Sequence, residues 1–467
     1  MDKNAPATLL DLAVRSLLSN ERVAIHALEE LPRGMFILFF TAAFLGGHKK
    51  VLKAMVRIWP FPCLHVGTLS VQESQYDNFE AMIDGLQILP ARNSSSWGPK
   101  LRILDLRQDP GCRTTCSGIR TTFPFCFRSC VHSQHSIVKI EEAQHRVRCP
   151  GTVNSESEPQ SSREPMELLV DISLDGTSRT KQFLSLLRNK VQQSVGSLHL
   201  CCRDLKIDRR LAHEHILQLL DMGCIDHLKV DEIYLSELTR LLAQMTHLHR
   251  LSMSHIPFTS YMRRSFGTFL AHLGQMDTLQ EISLSYCHTH PLHELLRCLP
   301  PQLDALYLSF CGLSNRDITV LSQSPPATHL RLLSLSNNEI SWELSESFQT
   351  LLASVSGTLQ HLEIDNCLIT DSTLTAVIPA LSRCSHLRVF SFASNPITMR
   401  VLTSLLQHLT NLMELKRVIY PVPVHCYEQL RDPGSLNQQK LSEVQAQLKT
   451  MLQAVKRNDM RWTSSPE

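Results

Sequence analysis

The strongest constraint on this 467-residue chain is a leucine template, L-x-x-L-x-L-x-x-(N/C)-x-L, that returns five times in register. TLQEISLSYC places Leu279, Ile282, Leu284 and Cys287 on it, and QLDALYLSFCGL places Leu303, Leu306, Leu308, Cys311 and Leu313. HLRLLSLSNNEI gives Leu330, Leu333, Leu335, Asn338 and Ile340. TLQHLEIDNCLI gives Leu359, Leu362, Ile364, Cys367 and Ile369, and HLRVFSFASNPI gives Leu387, Phe390, Phe392, Asn395 and Ile397. The opening leucines stand at 279, 303, 330, 359 and 387, so the units are 24, 27, 29 and 28 residues long. Weaker copies begin at Leu248, Ile225 and Val195, and KLRILDL (Leu101, Leu104, Leu106) fits far upstream.

The template dictates the architecture. In L-x-L the side chains alternate, so both leucines share one face of a short strand. The Asn or Cys that follows leaves the strand, where its side chain can bond backbone groups of the turn. The rest of each unit, as in ITVLSQS or STLTAVIPALSRC, carries helical spacing. One unit cannot bury its apolar face alone, but stacked units share a continuous core. The expected fold class is therefore α/β: a leucine-rich-repeat solenoid, or horseshoe, with parallel concave strands, outer helices and a helical N-terminal cap. At the other end, Leu441, Val444, Leu448, Leu452 and Val455 form one stripe of a helix predicted over 437–456, which would close the stack.

Composition narrows the function classes. Lys plus Arg number 46 against 44 Asp plus Glu, a net charge of +2, which argues against a cationic nucleic-acid binder. There are 74 leucines, and the 15 cysteines are an odd number behind a start with no apolar signal region, so they read as reduced thiols in the cytoplasm or nucleus. The most apolar run, Met35 to Leu45, is 11 residues long, whereas a spanning helix needs about 20. No membrane contact is expected. Metalloprotease, nucleophile-elbow, phosphate-loop and dinucleotide signatures are all absent, so the chain reads as a binding protein that is not an enzyme and needs no cofactor or metal.

The leucines stop between Leu106 and Leu168, a gap of 61 residues containing GTVNSESEPQSSREP. Such a segment buries too little apolar area to offset the entropy of ordering it, so 107–166 reads as a disordered insertion. It divides 1–50 (N-terminal helices) and 51–106 (a first leucine-rich segment) from 167–425 (the repeats) and 426–467 (the C-terminal cap). Inside the insertion Cys112, Cys116, Cys126, Cys130, His132 and His135 could offer zinc ligands, but the familiar C-x2-C pair is missing. LTRLL from Leu238, LHELL from Leu292 and LTSLL from Leu402 match the L-x-x-L-L receptor box, yet repeat helices need leucine at that spacing to face the core.

Two N-terminal segments stand outside the repeats. Thr8 precedes Leu9, Ala13 and Leu17, which share a helix face with a small residue at its centre. Downstream, LPRGMFILFF places Pro32 at a helix start, with Leu31 before it and Met35 and Phe39 on one stripe. ATLLDLAVRSLLSNERVAIHALEELPRGMF, LKAMVRIWPFPCLHVG, LHLCCRDLKI, CGLS, CLITD and YPVPVHCYEQL together resemble the PRAME family of leucine-rich-repeat proteins, over nearly the whole chain except the insertion. That resemblance implies a substrate receptor of a cullin-2 RING ubiquitin ligase. Carried across by position, Leu9, Ala13 and Leu17 would contact elongin C within elongin B/C, and Leu31, Pro32, Met35 and Phe39 would contact cullin-2. Gly34 departs from the family's better helix formers and weakens the cullin half of the assignment. The alternatives are that both helices merely seal the solenoid, that the chain is a ligase-independent scaffold or corepressor in germline cells, or that it inhibits an enzyme.

A protein substrate would meet the concave face. Between the buried leucines, one outward row reads Ser283, Tyr307, Ser334, Glu363 and Ser391, and the next reads Ser285, Ser309, Ser336, Asp365 and Ala393. Tyr286 and Phe310 lie just beyond. Aromatic and charged side chains supply most contact energy, so Tyr286, Tyr307, Phe310, His361, Glu363 and Asp365 are the expected anchors.

Overall fold

A computed structural model describes residues 8–61, 63–66, 76–86, 101–107, 166–194, 197–208, 214–256, 263–287, 292–427 and 435–464. The chain forms two compact units, one of Met1–Leu205 with Ala212–Cys224, the other of Lys206–Leu211 with Ile225–Glu467.

The first unit opens with four helices: α1 (Leu9–Leu18), α2 (Glu21–Ala27), α3 (Arg33–Leu45) and α4 (Lys49–Arg57). The aromatic run of α3 drives their packing. Phe36, Phe39, Phe40 and Phe44 are buried, and Trp59 lies edge-on to Phe40 with ring centroids 5.2 Å apart. The Trp59 indole, wholly buried, donates to the Cys63 carbonyl at 3.1 Å, so its one polar atom is satisfied. Four strands follow in chain order, β1 (Cys63–His65), β2 (Ile103–Asp105), β3 (Met166–Leu174) and β4 (Leu198–Asp208), with helix α5 (Tyr76–Gly85) after β1 and α6 (Ser178–Gln193) after β3. Pairing is parallel, with Cys63 opposite Ile103 and Leu104 opposite Leu168.

The 107–166 boundary needs correcting at both ends. Arg107 is buried, and its guanidinium makes two 2.8 Å bonds to the Asp105 carboxylate. Met166 already begins β3. Residues 108–165, including the six Cys and His positions of the zinc pattern, lie outside the described residues.

The second unit is the repeat array. Its strands β5 (His227–Asp231), β6 (Arg250–Ser254), β7 (Glu281–Ser285), β8 (Ala305–Ser309), β9 (Leu332–Ser334), β10 (His361–Glu363), β11 (Val389–Ser391), β12 (Arg417–Ile419) and β13 (Arg461–Thr463) run parallel in sequence order. The template leucines align across them. Leu306 pairs with Leu333, Leu333 with Leu362, and Leu362 with Phe390, all fully buried. The architecture is the expected α/β leucine-rich repeat.

A polar spine locks successive repeats. Buried Asn395 donates through Nδ2 to the carbonyls of Ile364 (2.9 Å) and Phe392 (2.7 Å), while its Oδ1 accepts from the Cys367 and Ile369 amides, each at 3.0 Å. Asn338 does the same two repeats earlier, with Leu308 and Leu335 as acceptors and the Cys311 and Gly312 amides as donors. Cys311 and Cys367 use their thiols instead, donating to carbonyls of their own and the preceding repeat. The alternation of Asn and Cys at this position thus has a physical cause: each satisfies backbone groups that the turn would leave buried and unpaired.

The last helix (Gln438–Ala454) buries Leu441, Val444, Leu448 and Leu452. Val455, expected on the same stripe, is exposed because it is the C-terminal cap of that helix.

Candidate functional site

Two surfaces follow from these elements. The first is the outer side of α1. Thr8 and Asp11 form a reciprocal cap, in which the Asp11 amide donates to Thr8 Oγ1 (3.2 Å) and the Thr8 amide to Asp11 Oδ2 (3.0 Å). The Thr8 hydroxyl, which donates to Asp11 Oδ2 at 2.8 Å, and then the Thr8 amide hold the Asp11 carboxyl below its ordinary value. The helix seats itself through Val14 and Leu18, which are buried. The opposite side therefore faces outward: Leu9 is 86% exposed and Leu12 52%, with Ala13 and Ser16 between them and Leu17 half-buried at the edge. The outward row is thus centred on Leu9, Leu12 and Ala13. Leu12 escaped the sequence reading because it lies three residues along from Leu9, while the spacing sought was four.

In α3, Pro32 is exposed, and Leu31 and Met35 are half-buried. Phe39 is only 1% exposed and packs inside the helical cluster, so the seated helix cannot offer it to a partner. The expected cullin contact at Phe39 is corrected accordingly. The face that α3 leaves open carries Met35, Leu38, Ala42 and Leu45, spaced i, i+3, i+7 and i+10. An all-apolar helix hides this distinction, because periodicity cannot separate its inner face from its outer one.

The second surface is the strand face of the repeat unit whose side chains alternate with the buried leucines. Along β5 to β8 every other side chain is buried, and the intervening ones are not. Register brings Ser283, Tyr307, Ser334, Glu363 and Ser391 into one row and Glu281, Ala305, Leu332, His361 and Val389 into the next. Tyr307 is half-buried there. Burial raises its phenol pKa, and Glu281 and Glu363 push it further. Asp365 is less free than the sequence implied, since its Oδ1 accepts from Ser391 Oγ (2.6 Å) and from the Ala393 amide (2.7 Å). Its first task is to tie two repeats together.

Just beyond the strands a left-handed residue recurs in each of seven repeats: Glu232, His255, Tyr286, Phe310, Asn337, Asn366 and Ser394, with φ between 51° and 62°. Asn tolerates that conformation readily; an aromatic residue there is uncommon and costs energy. Tyr286 and Phe310 are nonetheless parallel, with ring centroids 4.6 Å apart and planes 3° off, and the His255 ring stacks on Tyr286 at 4.4 Å. His255 Nδ1 in turn lies 2.8 Å from Asp231 Oδ1. The stack passes into an amide ladder, Asn366 Nδ2 donating to Asn337 Oδ1 at 2.9 Å. Tyr286 and Phe310 remain 40% and 36% exposed. Sequence reasoning found both rings but not His255, because nothing in a lone histidine after SMS signals a stacking partner.

The L-x-x-L-L leucines give no docking surface: Leu238, Leu241, Leu242, Leu292, Leu295, Leu296, Leu402, Leu405 and Leu406 are all buried. No helix among the described residues is long and apolar enough to cross a membrane.

Comparison with known proteins decides the lineage. Residues 6–111 match the PRAME N-terminal domain and 166–464 the PRAME C-terminal domain. The chain belongs to the PRAME family. Among its relatives is leucine-rich repeat-containing protein 14 of Rattus norvegicus, 33% identical over 98% of this chain and 97% of the relative. The Homo sapiens protein of the same name is 32% identical over the same shares. PRAME family member 8 of Homo sapiens is 30% identical over 97% of this chain and 93% of its own. The two matched segments leave out residues 112–165, most of the leucine-poor insertion. A repeat-based protein-binding role follows from this membership and from the fold.

Proposed function

We propose that this PRAME-family chain is the substrate-recognition subunit of a cullin-2 RING ubiquitin ligase. In this reading α1 docks on elongin C, the Pro32 end of α3 meets cullin-2, and the repeat unit presents a protein substrate to the recruited ubiquitin-conjugating enzyme. The chain contributes proximity, which raises the effective concentration of substrate lysines near the reactive thioester.

The observation that carries the proposal is the burial pattern of α1. A helix that served only to close a solenoid would bury its apolar face and show a polar one. Here Leu9, Leu12 and Ala13 face outward while Val14 and Leu18 already hold the helix in place. Exposed leucines on a capped helix fit a groove-binding anchor. On the repeat unit, the stacked Tyr286 and Phe310 supply rigid, half-exposed aromatic area of the kind that dominates binding hot spots.

Purified protein mixed with elongin B/C and cullin-2 tests the assignment by size-exclusion chromatography. Co-elution of all four chains is expected. A chain that elutes alone at micromolar concentrations of each partner refutes it.

A further inference from the structure

In the first unit both faces of the short strands are buried, and Cys63, Ile103, Leu169 and Cys201 form a cluster against which Cys224 packs. At the edge of that cluster three candidate ligands converge, with a fourth beside them. Two come from β4: alternation puts His199 and Cys201 on the same strand face. The other two come from a tight turn, where the Gly223 amide donates to Asp221 Oδ1 at 2.9 Å and leaves Oδ2 aimed at the strand. His199 Nε2 lies 3.4 Å from Asp221 Oδ2, and Cys224 Sγ lies 3.5 Å from the same oxygen. The ligand atoms of His199, Asp221 and Cys224 all fall within 4.8 Å of one another. Cys201 belongs to the buried cluster against which Cys224 packs, so a second sulfur stands beside the three converging atoms.

We propose that His199, Asp221 and Cys224, with the neighbouring Cys201 drawn in as fourth ligand, form a binding site for a thiophilic divalent cation, zinc above all. With zinc–sulfur bonds of about 2.3 Å and zinc–nitrogen or zinc–oxygen bonds of about 2.0–2.1 Å, tetrahedral edges come to roughly 3.3 Å for nitrogen to oxygen and roughly 3.6 Å for oxygen to sulfur. The observed 3.4 and 3.5 Å separations match those edges. Two thiolates, one imidazole and one carboxylate satisfy zinc's preference for soft and borderline donors, whereas calcium or magnesium would require oxygens throughout. On binding, the two thiol protons pass to solvent and the cation takes their place between the sulfurs. Two thiolates and a carboxylate leave the loaded site one negative charge, and Arg203, two residues along β4 from Cys201, carries a charge to offset it. All four positions are filled by protein, so the site is structural and holds no open position for catalysis. It would clip the turn at Asp221 to β4.

Cobalt(II) is the probe for the test. The full chain carrying Cys112→Ser, Cys116→Ser, Cys126→Ser, Cys130→Ser and Cys149→Ser removes the sulfur donors of the insertion. This parent should bind about one cobalt with a thiolate charge-transfer band and the intense visible bands of tetrahedral coordination, both abolished by added zinc. His199→Asn and Asp221→Asn, replacements at positions open enough to leave the fold intact, should each weaken binding tenfold or more, and Cys224→Ser should remove most of the charge-transfer band. Circular dichroism checks that each variant is folded. An octahedral spectrum without a thiolate band, or binding by the parent that His199→Asn and Asp221→Asn both leave unchanged, overturns the site.

Discussion

The stacked rings after β7 and β8 allow stability and binding to be separated by one substitution. Phe310→Asn puts at that turn the residue that the next two repeats already use, Asn337 and Asn366. Phe310 is held at φ 52°, where a non-glycine residue other than Asn or Asp is disfavoured by roughly 1–2 kcal/mol. Removing the ring forfeits its stacking on Tyr286, about 0.5–1.5 kcal/mol beyond burial for an aromatic pair. The two effects oppose each other at a partly exposed position, so the net change in folding stability should lie within about 1 kcal/mol of zero. Leu333→Ala, in the fully buried ladder, should cost about 2–5 kcal/mol. Urea unfolding of both variants measures this contrast. Substrate capture should respond in reverse, since loss of an aromatic hot spot costs about 2 kcal/mol or more, a drop of over tenfold in affinity. If Phe310→Asn unfolds as readily as Leu333→Ala, the rings are structural. If it is stable and captures substrate normally, they are not the anchor.

Three further outcomes follow from the same reasoning. Asn395→Ala removes five hydrogen bonds at a buried site and strands backbone groups at about 1–3 kcal/mol each, so chemical denaturation should show a loss of at least about 3 kcal/mol. Gly34→Ala introduces a Cβ with no atom within 4 Å and should stabilise α3 by up to about 1 kcal/mol, read as a raised thermal midpoint. The Asp11 carboxyl is depressed by its bonds to Thr8, so its stabilisation of α1 is complete above the ordinary value of 3.8 and is lost as pH falls through the lower folded value. Amide exchange of residues 9–12, corrected for intrinsic rate, should accelerate over that acid window, and Asp11→Asn should abolish the pH dependence.

The repeat array was legible because period and chemistry agree. A leucine every second residue and an Asn or Cys at the ninth position leave one way to stack, and Leu306, Leu333 and Leu362 do pair across adjacent strands. The N-terminal helices were legible only in outline. α1 is amphipathic, so its outward row could be read to within a residue. α3 is apolar all round, so Phe39 was placed outside when burial puts it inside. Asp365 sat in the correct row, but its hydrogen bonds to the next repeat depend on register between segments that local sequence does not encode. The His199, Cys201, Asp221 and Cys224 group stayed hidden for the same reason. The H-x-C of β4 and the D-x-x-C of the turn are each unremarkable alone, and the fold brings them together.

The claim that α1 is a docking helix rests on its outward leucines, and one titration addresses it. Elongin B/C is titrated calorimetrically into the wild-type chain, into Leu9→Ser/Leu12→Ser, and into Val23→Ser, which alters an exposed apolar residue on the neighbouring helix α2. The account predicts tight binding by wild type and by Val23→Ser, and a loss of at least tenfold in the double variant, whose substitutions lie on the exposed side of α1 and leave Val14 and Leu18 seated. Equal affinity for all three chains, or no binding by wild type, would contradict it.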